Sequence, residues 1–184
     1  MRFPENGWPR RRHVAGNFHA RFNAKSRTYE YLLLNDNVDA GLWKARVGWY
    51  HAPLDERLMQ QAAGTLLGTH DFTAFRAAEC QAKSPERTIL GLDISRSGKV
   101  LRFRFTANAF LHHMVRNLVG SLVYIGSGRQ PVGWLKELIE KRDRSLAAPT
   151  AAPDGLYLVE IEYDAQWGLP EFSPRSPFMM ARLR

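Results

Sequence analysis

The segment Asn-Ala-Phe-Leu-His-His-Met-Val-Arg-Asn-Leu-Val-Gly, residues 108–120, constrains this chain more than any other. Its apolar positions, Phe110, Leu111, Met114, Val115, Leu118 and Val119, continue into Leu122, Val123 and Ile125. The spacing predicts a helix that opens near Asn108 and runs to about Ile125. A helix apolar on most sides belongs in a core. Arg116 stands in its middle, with His112, His113 and Gly120 three or four residues away on the same stripe. An arginine keeps its charge, so a buried one needs a carboxylate or a phosphate to pair with. The expectation is a core helix with one narrow cationic slot.

The rest of the chain supplies elements to pack against that helix. Arg27 to Leu34 reads as a strand, with Arg27, Tyr29, Tyr31 and Leu33 on one face, and Arg46 to His51 as a weaker one. Asp55 is the expected N-cap of a helix whose apolar face is Leu58, Met59, Ala62, Ala63, Leu66 and Leu67, ended by Gly68. His70 to Arg76 reads as a loop. Leu90, Leu92 and Ile94 alternate in one strand and Leu101, Phe103, Phe105 and Ala107 in the next, joined by a turn at Arg96-Ser97-Gly98-Lys99. A further helix is expected over Val132 to Arg142, and a last strand over Leu156 to Tyr163. This pattern predicts an α+β fold, a mixed or antiparallel sheet with helices on one face. Residues 1–17, with the run Arg10-Arg11-Arg12-His13, read as an irregular basic arm. Residues 18–165 read as the folded domain and residues 166–184 as a Pro-rich tail.

Charge narrows the partners. In 184 residues, 26 Lys and Arg against 18 Asp and Glu leave a net charge of +8. That balance favours a polyanion, nucleic acid before membrane, since no lysine-rich amphipathic helix stands out. Cys80 is the only cysteine, which removes an intramolecular disulfide and fits a cytoplasmic location. There is no glycine-rich phosphate loop before a helix, no nucleophile elbow and no metal-ligand spacing.

Five pieces, in order and in spacing, resemble the tRNA pseudouridine synthase A family. They are Phe18-His19-Ala20-Arg21-Phe22, Arg27-Thr28-Tyr29-Glu30-Tyr31, His70-Asp71-Phe72 with Phe75-Arg76, Asn108 to Gly120, and Gly155-Leu156-Tyr157-Leu158. The resemblance covers roughly residues 18–163 and matches the C-terminal half of that family. It implies a pseudouridine synthase fold and an isomerase that converts uridine to pseudouridine in the anticodon arm of tRNA, at tRNA positions 38–40. It further implies no cofactor, because the substrate supplies both halves of the product, no metal, and a homodimer in the full-length enzyme. Tyr29 matches the active-site tyrosine that stacks on uracil and is a candidate for taking the C5 proton. Arg116 matches the arginine that pairs with the catalytic aspartate, and Leu156 an apolar residue against the base.

Arg21, Arg27, Arg76, His112 and His113 are the candidate RNA contacts, since phosphate recognition calls for cations on one face. The plain alternatives are a half-buried strand tyrosine for Tyr29, satisfied helix-start histidines for His112 and His113, and a core leucine for Leu156.

The family's nucleophile lies in an Arg-Thr-Asp-Ala-Gly motif that these residues do not contain. Asp71 matches the His-Asp-Phe loop instead. The expectation is therefore a chain that carries one half of the site, with a catalytically silent tRNA-binding half-domain as the alternative.

Overall fold

A computed structural model describes residues 14–169; most of the expected basic arm and Pro-rich tail, residues 1–13 and 170–184, lie outside the described residues. The fold grows around a long strand, β1 (Ala24–Asn35), whose Tyr31, Leu32 and Leu33 are buried. One side of β1 pairs antiparallel with β5 (Val100–Ala107), which pairs with β4 (Glu86–Ser97), which pairs with β3 (Gly68–Asp71). The other side is shared. Residues 33–35 of β1 take the short parallel strand β2 (Gly48–Tyr50), and residues 24–31 take antiparallel β6 (Leu156–Tyr163). The result is the expected α+β fold with a mixed six-stranded sheet.

Three helices, α1 (Glu56–Ala63), α2 (Met114–Gly126) and α3 (Trp134–Lys141), complete the core with one sheet face. Asp55 caps α1 as expected, accepting from Arg57 N at 2.8 Å and Leu58 N at 3.3 Å. Such a cap contributes about 1 kcal/mol. Helix α2 is buried on nearly every side, including Leu118, Leu122 and the polar Asn117 and Ser121. Each fully buried leucine there stabilises the fold by roughly 1.5–3 kcal/mol. The opposite sheet face is mostly polar. Its Glu30 is fully buried, with Arg104 at 2.9 Å and Arg102 at 3.8 Å, while Leu32, Ala40 and Val47 form a small second cluster at one end.

The structure corrects several expectations. Helix α2 opens at Met114, not Asn108, because Asn108 is engaged elsewhere: its side chain accepts from Thr88 N at 3.0 Å and Ala109 N at 2.7 Å. Residues 108–113 run as an irregular segment ending at His113 in the left-handed conformation, φ +60°. The stripe that placed His112 and His113 on the helix with Arg116 does not exist.

His70 and Asp71 belong to a strand, not a loop, since β3 pairs with residues 86–89 of β4. Leu90 points outward, 58% exposed, because a bulge between Ile89 and Gly91 makes Ile89 the buried residue. Leu58 and Leu67 are also outward. The first residues of the expected tail are tied down, Trp167 packing on Phe18 with ring centroids 5.2 Å apart.

Candidate functional site

A cleft of about 980 Å³ opens where β1 and the start of β6 meet the irregular 108–113 segment and the first turn of α2. Tyr29, Arg116, Leu156, Arg21, Arg27, His112 and His113 all line it. Residues distant in sequence are thus brought to one concavity by the β1–β6 pairing and by α2 packing on β1.

Tyr29 sits half-buried on the helix-facing side of β1, its ring edge-on to Phe110 at 5.2 Å and 88°. Among the described residues its hydroxyl has no hydrogen-bond partner. That leaves an aromatic platform with a free polar tip, the arrangement a stacked base requires. Leu156 begins β6 opposite Tyr31 and adds an apolar wall.

Arg116 is held at its root. Its Nε donates to the Ala151 carbonyl at 2.7 Å, and Ala151 N–H donates to the Arg116 carbonyl at 3.2 Å. Among the described residues no carboxylate lies within ion-pair distance of it, and its two Nη groups have no protein acceptor. The sequence argument asked for an acidic partner; the structure supplies a neutral carbonyl and leaves the charge turned to the cleft. A fixed guanidinium with two free Nη groups suits a carboxylate or phosphate presented bidentately.

His112 and His113 stack with centroids 4.0 Å apart, and His112 Nδ1 lies 4.0 Å from Glu79. Burial, with the nearby His112 and Arg116, pushes His113 below the ordinary histidine value, and Glu79 only partly offsets this. His113 is therefore a neutral ring at neutral pH. Its left-handed backbone is of the kind that surroundings must enforce.

The arginines divide. Arg21 is exposed at the rim, its guanidinium 5.9 Å from the Phe22 ring centroid. Arg27 braces the cleft wall, donating to the carbonyls of Asn108 at 2.9 Å and of Arg21. Arg76 is not on the cleft wall. Its Nη2 donates to the carbonyls of Cys80 at 2.6 Å and Ala82 at 3.0 Å, folding the 76–82 loop that forms one side of the cleft.

Asp71 lies outside the cleft, accepting from Thr73 N at 2.9 Å beside the Thr73–Phe75 turn and pairing with Arg142 at 3.4 Å. Among the described residues no three His, Cys, Asp or Glu side chains converge on a metal position. No described helix is long and apolar enough to cross a membrane.

Sequence reasoning missed Arg87 and Cys80, which also line the cleft. Burial lowers Arg87, whose Nε is enclosed without a partner. Burial works to raise the Cys80 thiol, yet the N–H groups of His112 and Ala82 and the Arg76 guanidinium outweigh it and hold the thiol below its usual value. Cys80 lies in a stretch with no periodic signal, and Arg87 stands at the start of β4, ahead of the Leu90, Leu92 and Ile94 alternation.

A family profile described as tRNA pseudouridine synthase matches residues 62–164. The chain is 53% identical over 171 residues to a protein named tRNA pseudouridine synthase A from Dechloromonas aromatica, covering 93% of this chain and 64% of that one. It is 54% identical to proteins of the same name from Nitrosomonas eutropha, over 89% of this chain and 59% of that one, and from Herminiimonas arsenicoxydans, over 85% and 57%. The chain thus spans about six-tenths of the length of these curated relatives. Fold, cleft and profile agree, and the chain belongs to the tRNA pseudouridine synthase family, alongside proteins of its A type.

Proposed function

We propose that this chain supplies one half of the active site of an enzyme that isomerises uridine to pseudouridine in the anticodon arm of tRNA. The observation that carries the reading is the cleft itself: a free-tipped aromatic, Tyr29, and a root-anchored Arg116 with unmatched Nη groups face the same space. In the reaction the N1–C1′ bond breaks, the base turns, a C5–C1′ bond forms, the C5 proton leaves to solvent and N1 takes up a proton in exchange. Substrate and product are isomers, so no external atom or electron is needed and no cofactor is called for.

Tyr29 stacks on the uracil and is the candidate acceptor of the C5 proton. Arg116 pairs with the nucleophilic carboxylate, and Leu156 closes the apolar side of the base. Arg21, Arg27, His112 and His113 contact the RNA, while Arg76 shapes the loop beside it. The carboxylate comes from a segment with the Arg-Thr-Asp-Ala-Gly motif, so this chain corresponds to the part of the family that follows that motif. Its domain unit is residues 18–165, it acts in the cytoplasm, and the full-length enzyme is a homodimer.

Tritium release from C5-labelled uridine in an unmodified tRNA transcript tests the reading. The chain alone should bind the tRNA in a salt-sensitive manner and release no tritium, and adding the motif-bearing segment should start release. Release by the chain alone would place the nucleophile among these 184 residues and overturn the half-site assignment. A second reading, a silent tRNA-binding half-domain, is favoured by the unpaired Arg116. It would prevail if tRNA bound but the added segment never started release.

A further inference from the structure

Asn117, the neighbour of Arg116 in α2, is 1% exposed and makes three side-chain hydrogen bonds in an unusual node. Its Nδ2 donates to the Phe75 carbonyl at 2.8 Å. Its Oδ1 accepts from Thr150 Oγ1 at 2.6 Å and from Arg144 Nη2 at 3.1 Å. Arg144 also donates through Nη2 to Thr150 Oγ1 at 3.1 Å and through Nη1 to the Ala148 carbonyl at 2.9 Å. Burial pushes Arg144 below the ordinary arginine range, and among the described residues it has no carboxylate partner. A partly buried cation satisfied only by neutral acceptors is a costly way to hold a loop that apolar packing could hold.

The loop so held is the stretch 148–152, and Ala151 within it is the residue that grips Arg116 from both directions. Residues 116 and 117 lie about 100° apart around the helix. Arg116 therefore faces the cleft while Asn117 faces inward, and the loop bridges the two. We propose that Asn117, Thr150 and Arg144 are positioning residues for Arg116: through residues 148–152 they fix the guanidinium by its Nε and leave both Nη groups aimed at the cleft. This deepens the reading of Arg116 as the partner of the catalytic carboxylate, on which it rests. None of the three lines the cleft, so each acts through Arg116 and not on the RNA.

Thr150→Val keeps the side-chain volume and removes the hydroxyl at the centre of the node, while Thr150→Ser restores it. The test is the Arg116 Nε–H signal in ¹⁵N-labelled full chain, assigned by its disappearance in Arg116→Lys. In the wild type that proton should exchange with water at least about tenfold more slowly than those of exposed arginines. Thr150→Val should bring it to the exposed rate, and Thr150→Ser should leave it protected. A lower melting temperature in Thr150→Val with Arg116 exchange unchanged would overturn the proposal, because the node would then be structural only.

When the motif-bearing segment is added, Thr150→Val should lower kcat about tenfold with KM nearly constant, as expected for a misaimed transition-state group. A rise in KM at constant kcat would also overturn it. Failure of the underlying reading looks different: Arg116→Lys itself would then leave turnover and tRNA binding untouched, whatever the exchange data show.

Discussion

Gly120 of α2 and Pro149 touch backbone to backbone: a β-carbon built on Gly120 would overlap the Pro149 carbonyl oxygen. This approach seats the 148–152 loop on the helix one turn after Arg116, within reach of both Arg116 and Asn117. Alanine is favoured over glycine in a helix by about 1 kcal/mol. Here the overlap outweighs that preference, since the atom met is backbone and cannot swing aside. Gly120→Ala should destabilise the chain by about 1–3 kcal/mol, the usual cost of overpacking. Urea unfolding of the variant and the wild type measures it, and a stabilised variant would contradict the close contact.

Tyr31 lies beneath the site, 1% exposed, its hydroxyl donating to the Ala152 carbonyl at 3.0 Å. Burial raises its pKa from 10.0 to about 12, with Arg116 working against the shift and Asp154 with it. A raised pKa means that the folded state favours the neutral phenol. The stability this represents is fully present below pH 10 and is lost as pH climbs through 10 to about 12. Tyr31→Phe should cost about 1 kcal/mol at neutral pH, the value of one hydrogen bond. It should then lose stability more slowly than the wild type above pH 10. Thermal melts of both proteins across that range would show parallel curves if the phenol titrated normally.

How far the sequence led depends on what holds each part. Strands β1, β5 and β6 were legible because period-two alternation records which face meets the helices, and α1 was legible because Asp55 is a local cap. The start of α2 was not. Apolar spacing continues through Phe110 and Leu111, but Asn108 spends its side chain on Thr88 and Ala109, and His113 takes φ +60°. Strand β3 has only Gly68, Thr69, His70 and Asp71, and its identity comes wholly from pairing with β4. Tyr29 and Arg116 could be singled out by the family resemblance and by the oddity of a charge in an apolar run. The loop that anchors Arg116 could not, since residues 148–152 carry no period and their role is fixed by Gly120 and Asn117 across a gap of some thirty residues.

Glu30 is a fully buried carboxylate on the polar face of the sheet, bonded to Arg104, which also reaches Glu160 at 2.8 Å. Removing Arg104 takes the nearest cation from this buried carboxylate and leaves Arg102, at 3.8 Å, to oppose its charge. Arg104→Ala should destabilise by about 3 kcal/mol. Arg104→Ala combined with Glu30→Gln should recover part of that loss, because the buried group that lost its nearest partner is then neutral. Chemical denaturation of the single and double variants measures the coupling, and simple additivity would show that the pair is not interacting.

Arg21 and Arg76 were both candidates for RNA contact, and they sit in different surroundings. Arg21 is exposed at the rim of the cleft, whereas the Arg76 guanidinium is committed to the Cys80 and Ala82 carbonyls. A phosphate contact releases counterions when it forms, so losing one flattens the slope of log K against log salt by about 0.7–0.9. Arg21→Ala should therefore reduce the salt slope of tRNA binding by about one contact while leaving the melting temperature near that of the wild type. Arg76→Ala should leave the slope alone and lower the melting temperature, because the 76–82 loop loses its brace. Equal slope changes in the two variants would mean that Arg76 leaves its carbonyls to meet RNA, and the loop would then have to rearrange on binding.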